Sequence, residues 1–236
     1  MTTTELEDTR FVVPLYTVPE AARYLGVPPT TFATWVKGYR RKPKGRQVVG
    51  KPIVTALPGD GRRASTVPFI GLSEGLTLAA FRRAKVPLQR IRPALEVLKH
   101  EIGLEHALAS KKLITDGVEI LYDYAEKTGD HNVRELVVVR DNQRVFTEVV
   151  EDYLQRVDFG SDGYAALIRL PQYRTADVVA DPRRGFGQPI FSRGGARLED
   201  VLGSFRAGQS LADLEQEYGL PRADLEDAVR VATLAA

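Results

Sequence analysis

Hydrophobic residues recur at helical spacing in two short groups near the start of the chain, within residues 17–37. The two groups are Ala21, Ala22, Leu25 and Phe32, Trp35, Val36. Thr17 and Glu20 have the spacing of a capping box, Gly26 is suited to end the first helix, and Pro29 is suited to begin the second. The pattern predicts two helices joined by a tight turn. Such a helix-turn-helix is the shape that enters the major groove of DNA.

A basic segment follows this pair of helices directly. From Gly38 to Lys51 the chain has six Lys and Arg residues and no Asp or Glu, and interspersed prolines and glycines exclude a helix. The composition then predicts a strand at Ile53–Leu57 and a returning strand at Ala64–Phe69. Arg62 and Arg63 lie beside the intervening turn, so we expect this hairpin to form a basic wing.

Two more helices are predicted before Gly103. Ser73 is expected to cap the first, which ends near Lys85. The second opens at Pro87, and Pro93 is expected to kink it or to move its start.

Beyond Gly103 the chain becomes rich in β-forming residues separated by turn signals, which predicts a small, mostly antiparallel sheet. Strands are expected at Glu119–Tyr124, Glu135–Val139, Val145–Thr147, Leu167–Leu170 and Ala176–Ala180, with a short helix at Glu148–Gln155.

The last part of the chain is helical again after a segment rich in glycine and proline at residues 182–195. One helix carries Leu198, a second begins at Ser210 and ends at Gly219, and a third begins at Pro221. The last two helices also carry six acidic residues, which are Asp213, Glu215, Glu217, Asp224, Glu226 and Asp227. Because duplex DNA would repel such a face, this second helix-turn-helix shape is better suited to contact with protein.

The predicted fold class is therefore α+β. It consists of an N-terminal winged helix-turn-helix, a central antiparallel sheet and a C-terminal domain of three helices. The predicted divisions are a flexible tail at residues 1–10, the winged domain at 11–103, the β-rich region at 104–176 and the helical domain at 177–236.

Composition narrows the function classes. The absence of Cys excludes a disulfide scaffold and a thiolate metal site. The polar, acidic start of the chain does not resemble a signal peptide, and no apolar run is long enough to span a membrane, so we expect a cytoplasmic protein.

The net charge of +2 conceals an asymmetry: residues 10–110 have 17 Lys and Arg against 6 Asp and Glu, whereas residues 111–236 have 16 against 22. An excess of +11 in the first half indicates a polyanionic partner.

Double-stranded DNA is the predicted partner of this basic half. Hydroxyls and methyls suited to reading base edges would come from Thr30, Thr31 and Thr34. Phosphate contacts are expected from Lys37, Arg40, Arg41, Lys42, Lys44, Arg46, Arg62 and Arg63. Trp35 could stack on a base, but its spacing from Phe32 favours core packing.

The chain shows no pattern typical of catalysis or of a cofactor. His100, His106 and His131 lack a frame of ligands at metal-binding spacing, and the glycines of residues 185–195 match no phosphate-binding motif. Ser192 and Ser204 have no recognisable His or Asp partners. We therefore expect neither an enzyme nor a protein with a metal or cofactor.

Residues 16–98 resemble the winged helix-turn-helix of MerR-like regulators. YTVPEAARYLGVPPTTFATWVKG is similar to the first two helices of that family, and LTLAAFRRAKVPLQRIRPALEVL to its later helix pair. Pro28 departs from the family pattern, which has a capping Ser or Thr at this position, so the recognition helix should lack that capping oxygen.

Residues 177–232 are similar to a short bacterial domain found in antitoxins. The shared landmarks are Gly187-Gln188-Pro189-Ile190, Val201, Gly208-Gln209-Ser210, Tyr218 and the Ala228/Ala232 pair. The whole chain thus resembles the larger VapB-type antitoxins, such as mycobacterial ones, whose partners are PIN-domain ribonuclease toxins. Because such toxins hold Mg²⁺ with clustered carboxylates, the resemblance makes Arg183, Arg184 and Arg193 candidates for contact with the toxin.

We therefore predict an antitoxin that also binds operator DNA as an autorepressor, and as a homodimer, since helix-turn-helix proteins commonly read paired half-sites. Contacts to a second copy or to the toxin are expected from Leu198, Leu202, Phe205, Leu225 and Val229. One alternative is a stand-alone MerR-like regulator that senses a small effector in an apolar pocket of its middle sheet. Another is an enzyme acting on nucleic acid, which would need a carboxylate cluster or a catalytic His.

Overall fold

The computed structural model describes residues 9–41, 48–61, 64–115, 127–129, 153 and 155–234 of the chain. Within these residues the named helices are α1 (Val18–Leu25), α2 (Pro29–Lys37), α3 (Phe69–Arg83), α4 (Leu88–Ile102), α5 (Lys112–Thr115), α6 (Leu198–Arg206), α7 (Leu211–Tyr218) and α8 (Arg222–Leu234). The strands are β1 (Tyr39–Arg41), β2 (Val48–Gly50), β3 (Val157–Phe159), β4 (Ala165–Arg169), β5 (Val178–Ala180) and β6 (Ile190–Phe191). The mixture of helices with two small antiparallel sheets confirms the predicted α+β class. No helix in the described part of the chain is long and apolar enough to cross a membrane.

The predicted helix-turn-helix is confirmed, together with its local signals. The backbone N–H of Glu20 donates to the Thr17 hydroxyl at 3.3 Å, and the Thr17 N–H donates to the Glu20 carboxylate at 2.8 Å. Gly26 adopts the left-handed conformation that ends α1. Helix α2 begins after Pro28 and has no side-chain cap, as the departure at Pro28 predicts.

The wing was predicted in the wrong place. The hairpin is formed by β1 and β2, where Arg40 pairs with Val49 inside the basic segment. The residues predicted as strands at Ile53–Leu57 and Ala64–Phe69 form no named strand, although the N–H of Leu57 donates to the carbonyl of Thr66 at 2.7 Å between the two segments. The N–H groups of Ile53 and Val54 both donate to the carbonyl of Trp35, and Val67 forms a bridge with Tyr16.

Helix α3 is the central helix of the N-terminal region, and it is buried from Phe69 to Phe81. It begins four residues before Ser73, so Ser73 does not cap it. Instead the Ser73 hydroxyl lies inside the core, 3.2 Å from the hydroxyl of Tyr153. The burial of an entire helix surface explains why a simple amphipathic pattern misplaced its start.

Gly75 allows α3 to approach the helix-turn-helix closely. A Cβ at this position would lie 2.5 Å from the Phe32 ring and 2.8 Å from Leu25, both of which are buried. The orientation of α1 and α2 on the core therefore depends on the absence of a side chain at Gly75.

We expect Gly75→Ala to lower the free energy of unfolding by about 1–3 kcal/mol, because an added methyl overpacks this contact. Gly203 in α6 is the matched control, since a Cβ there would meet nothing within 4 Å. Gly203→Ala should raise the free energy of unfolding by about 0.5–1 kcal/mol through helix propensity. Denaturant titration of both variants checks the pair, and stabilisation by both would disprove the close contact.

The second sheet has the order β3-β4-β5-β6, with every neighbouring pair antiparallel. Strands β4 and β5 correspond to the strands predicted near residues 167–170 and 176–180. The sheet crosses the domain boundary predicted at residue 177, because β5 and β6 lie beyond it. The strands predicted at residues 119–124, 135–139 and 145–147, and most of the helix predicted at 148–155, lie outside the described residues.

The N-terminal segment is attached to this sheet. Arg10, which was predicted to lie in a flexible tail, is only 5% exposed and forms an ion pair of 2.5 Å with Asp162. Its guanidinium also donates to the carbonyl of Ala165 at 3.0 Å. The predicted end of the tail is therefore too late in the chain, because a buried ion pair fixes this arginine.

The C-terminal helices follow the predicted pattern at their ends. Ser210 and Asp213 form a capping box at the start of α7, and Gly219 ends it in the left-handed conformation. Helix α8 starts directly after Pro221, as expected.

Three residues predicted to contact a partner lie in the chain's own core. Leu198, Leu202 and Leu225 are 2%, 4% and 0% exposed. Their side chains hold α6 and α8 together, so they are not available to a second copy or to a toxin, and this prediction is wrong for them. Phe205 and Val229 are half-buried against the same core and remain candidates.

Asp227, predicted as part of an acidic outer face, is also buried. Its carboxylate accepts hydrogen bonds from the backbone N–H groups of Arg174, Thr175 and Ala176, at 2.6, 2.8 and 3.1 Å. Arg230 adds an ion pair at 2.5 Å. Burial favours a raised pKa, but these hydrogen bonds outweigh it and lower the pKa of Asp227. The carboxylate thus fastens α8 to the loop that precedes β5.

Candidate nucleic-acid interface and arginine loop

The outer face of α2 presents the residues predicted to read bases. Thr30 and Lys37 are exposed, and Thr31 and Thr34 are half-buried beside them. The Thr34 hydroxyl donates to the carbonyl of Thr30 at 2.9 Å, which leaves its oxygen able to accept from a donor on a base.

The inner face of α2 fixes the helix in the core. Phe32 and Trp35 are 0% and 1% exposed, and their rings meet edge to face at 5.9 Å. Trp35 is therefore a core residue, and the alternative that it stacks on a base does not hold.

The basic hairpin continues from α2 with a single intervening residue, Gly38. Its φ of +71° belongs to the left-handed region, and a Cβ would collide with the carbonyl of Gly50. Arg40 is exposed on β1, and Arg41 ends that strand. Exposed Lys37 at the end of α2 and exposed Arg40 on β1 therefore follow the threonines of α2 directly in the chain. Five of the predicted phosphate contacts, namely Lys42, Lys44, Arg46, Arg62 and Arg63, lie outside the described residues.

Arg82 also lies beside α2, although no sequence motif singles it out. It is an exposed residue in the last turn of α3, and its guanidinium lies 3.4 Å from the Thr31 hydroxyl. The two residues are 51 positions apart, so only the tertiary structure places them together.

A cleft of about 840 Å³ lies between the hairpin and α4. Arg92 lies 5.7 Å from the Tyr39 ring and donates to the carbonyl of Lys51. Burial lowers the pKa of Arg92, and Tyr39 partly offsets that effect. Two of its guanidinium nitrogens, Nε and Nη2, are buried without a hydrogen-bond partner among the described residues.

Glu74 also lines this cleft. Its carboxylate accepts from the N–H of Thr55 at 2.6 Å and lies 3.0 Å from Nδ1 of His106. Glu74 and His106 therefore both have partners within the protein's own structure. Within the described ranges no group of three or more His, Asp or Glu side chains could hold a metal ion.

The three arginines predicted to contact a toxin follow strands β5 and β6 of the second sheet, and all are exposed. Arg183 has a structural partner, because its Nε donates to Asp181 at 3.1 Å and Asp181 is 2% exposed. Arg184 lies against the turn that follows Arg193, since a Cβ at Gly195 would be 3.0 Å from the Arg184 Nη2. We call residues 181–187 together with residues 193–195 the arginine loop.

Two family models match separate parts of the chain. Residues 14–95 match the family described as "Putative DNA-binding HTH domain", and residues 178–232 match "Protein of unknown function (DUF433)". The chain is 50% identical over 226 residues to "Putative antitoxin VapB45" of Mycobacterium tuberculosis, with 93% of this chain and 94% of that protein covered.

Two further relatives come from the same organism. "Uncharacterized protein Rv2308" is 26% identical over 226 residues, with 91% of this chain and 88% of that protein covered. The crystal structure of Rv2018 superposes with a TM-score of 0.77 at 46% identity, and covers 93% of this chain and 99% of that one.

Proposed function

Because this chain belongs to the VapB-type antitoxin family, we propose that it is the antitoxin of a type II toxin–antitoxin pair. In this role it binds and neutralises a PIN-domain ribonuclease toxin in the cytoplasm and represses its own operator. One observation supports the proposal most strongly: the DNA-reading face and the arginine loop are built from different elements of a single core. Two such surfaces allow one chain to engage two partners.

The DNA-binding role is supported by the surface formed by α2, β1 and the end of α3. Thr30, Thr31 and Thr34 would contact base edges, and Lys37, Arg40 and Arg82 would contact the flanking phosphates. A homodimer would present two such surfaces to the half-sites of an operator.

The toxin-binding role is supported by the arginine loop. A guanidinium presents several donors in a planar fork that matches a carboxylate. Clustered carboxylates that hold Mg²⁺ in a PIN-domain toxin would therefore attract Arg184 and Arg193, and their occupation would block the catalytic metal site.

Co-expression with the toxin encoded by the neighbouring reading frame tests the proposal. We expect the two proteins to purify as a complex and the growth arrest caused by the toxin to be relieved. Retained toxicity, together with the absence of a complex, would remove the antitoxin function and leave DNA binding to be judged separately.

Charge reversal of Arg184 and Arg193 to Glu is expected to weaken toxin binding by at least tenfold, because repulsion replaces two charge-assisted contacts. Arg183 is left unchanged in this variant, since its replacement would also release the buried carboxylate of Asp181. Calorimetric titration measures the affinity, and an unchanged Tm confirms that the fold is intact. Unimpaired neutralisation by this variant would exclude both arginines from the toxin contact.

A stand-alone regulator that senses a small effector is the second candidate, and the cleft beside the hairpin favours it. The cleft lies next to the DNA-binding elements rather than in the middle sheet, where the sequence had suggested a pocket. Its unpartnered Arg92 nitrogens would suit an anionic ligand. This candidate predicts operator affinity that changes with a small anion in the absence of any toxin.

A further inference from the structure

Phe186 in the arginine loop is 89% exposed. The other exposed large hydrophobic residues in the described part of the chain are Val12, Val49 and Leu234, at 60%, 56% and 78%. An aromatic side chain has a large apolar surface, whose exposure to water is unfavourable in the free protein. Single exposed apolar side chains are common on protein surfaces, so the exposure of this ring gains weight only together with its backbone conformation.

The backbone of Phe186 strengthens that argument. Its φ of 53° and ψ of 36° belong to the left-handed region, and Gly185 and Gly187 on either side have φ of 56° and 75°. This conformation is disfavoured for a residue with a bulky side chain and is readily adopted by Gly or Asn. Gly or Asn would adopt this backbone at lower cost, so a phenylalanine at this position lowers local stability.

The loop is nevertheless held firmly by the core. The carbonyl of Gly187 accepts from the hydroxyl of Tyr16 at 2.6 Å, and Tyr16 is fully buried. The N–H groups of Gly187 and Gln188 bond back to the carbonyls of Arg184 and Gly185, at 3.1 and 3.0 Å. A Cβ at Gly187 would lie 2.7 Å from Leu15, so the loop packs directly on the segment before α1. A fixed loop loses little conformational freedom when a partner binds its exposed ring.

The charges beside the ring indicate the kind of partner. Arg183 and Arg184 precede it in the loop, and Arg193 lies on the adjoining turn. A polar rim around a central aromatic residue is the usual arrangement of a binding hot spot.

We propose that Phe186 is the anchor of the toxin contact. Its ring fills an apolar socket on the toxin, and carboxylates at the rim of that socket pair with Arg184 and Arg193. The inference rests on the proposed antitoxin function and adds to it the residue that would contribute most of the affinity. The strained backbone and the exposed ring then have one explanation, because both are offset only in the complex.

Phe186→Asn is the decisive variant, since Asn removes the ring and tolerates the left-handed backbone. We expect the Kd for the purified toxin to rise by about 30-fold or more, the loss that defines a hot spot. The Tm should stay unchanged or rise, because the strain is relieved. Phe186→Tyr should keep most of the affinity. Leu234→Ala, which removes another exposed hydrophobic side chain, should change neither quantity.

The outcomes separate this inference from the function on which it rests. If the wild-type protein does not bind the toxin, the antitoxin proposal fails and this inference fails with it. If the wild type binds and Phe186→Asn binds equally well, the anchor is disproved while the function stands. If the variant instead loses dimerisation or operator binding and keeps toxin affinity, the ring serves a second copy or DNA, and the inference is overturned.

Discussion

Replacing Lys37, Arg40 and Lys51 together by Gln is expected to reduce the salt dependence of operator binding markedly. The three side chains are exposed on or beside α2 and the basic hairpin. Each phosphate contact that is lost lowers the slope of log K against log salt by about 1, so the triple variant should lose about 3 per protomer. Fluorescence anisotropy between about 50 and 200 mM salt, where this electrostatic contribution is large, measures the slope.

The matched control removes the same charge from the C-terminal part of the chain. Arg174, Arg206 and Arg222 are also exposed, and their replacement by Gln should leave the slope almost unchanged. A wild-type slope in the first variant, or an equal reduction in the control, would mean that α2 and the hairpin are not the DNA-binding surface.

Asp227→Ala is expected to lower the free energy of unfolding by about 3 kcal/mol, because it leaves backbone donors of residues 174–176 without their acceptor. Arg230 would lose its buried partner in the same change. The loop before β5 would then be released from α8, so the C-terminal helices should show the loss first in hydrogen exchange.

Glu226→Ala is the control on the same helix. Its exposed ion pair with Arg222, at 2.9 Å, is screened by water and is expected to contribute little to stability. An effect of Asp227→Ala as small as that of Glu226→Ala would contradict the structural role of the buried carboxylate.

The contribution of Asp227 should also depend on pH. Because the folded pKa lies below the ordinary value of 3.8, the stabilisation is complete above that value. It is lost as the pH falls through the lower pKa of the folded protein. The difference in stability between wild type and Asp227→Ala should therefore shrink in strong acid and stay constant near neutrality.

Local sequence was sufficient for the features that depend on neighbouring residues. The capping box at Thr17, the helix start at Ser210, the helix ends at Gly26 and Gly219, and the missing cap at Pro28 each involve atoms a few residues apart. The energies of such contacts are set by the residue types and their spacing, so the pattern predicted these helices and the helix-turn-helix correctly.

The hairpin shows where such reasoning fails. The residues of Ile53–Leu57 have the composition of a strand, but most of their N–H groups donate to Trp35 and Glu74, and the bond from Leu57 to Thr66 does not extend into a strand pair. Meanwhile a less hydrophobic basic segment formed β1 and β2. Strand pairing depends on which distant backbone is available, and composition does not contain that information.

The structure shows which of the residues predicted to contact DNA, a toxin or a second copy are exposed and which are buried in the core. The sequence alone was enough to identify an N-terminal helix-turn-helix and a C-terminal region similar to antitoxins, because both depend on motifs of closely spaced residues. Only the tertiary structure showed that Leu198 and Asp227 are buried and that Phe186 is exposed. It also showed that Arg82 contacts Thr31 on α2. These positions result from packing between segments that are far apart in the chain. The local hydrophobic pattern does not show which distant segment a helix face will contact.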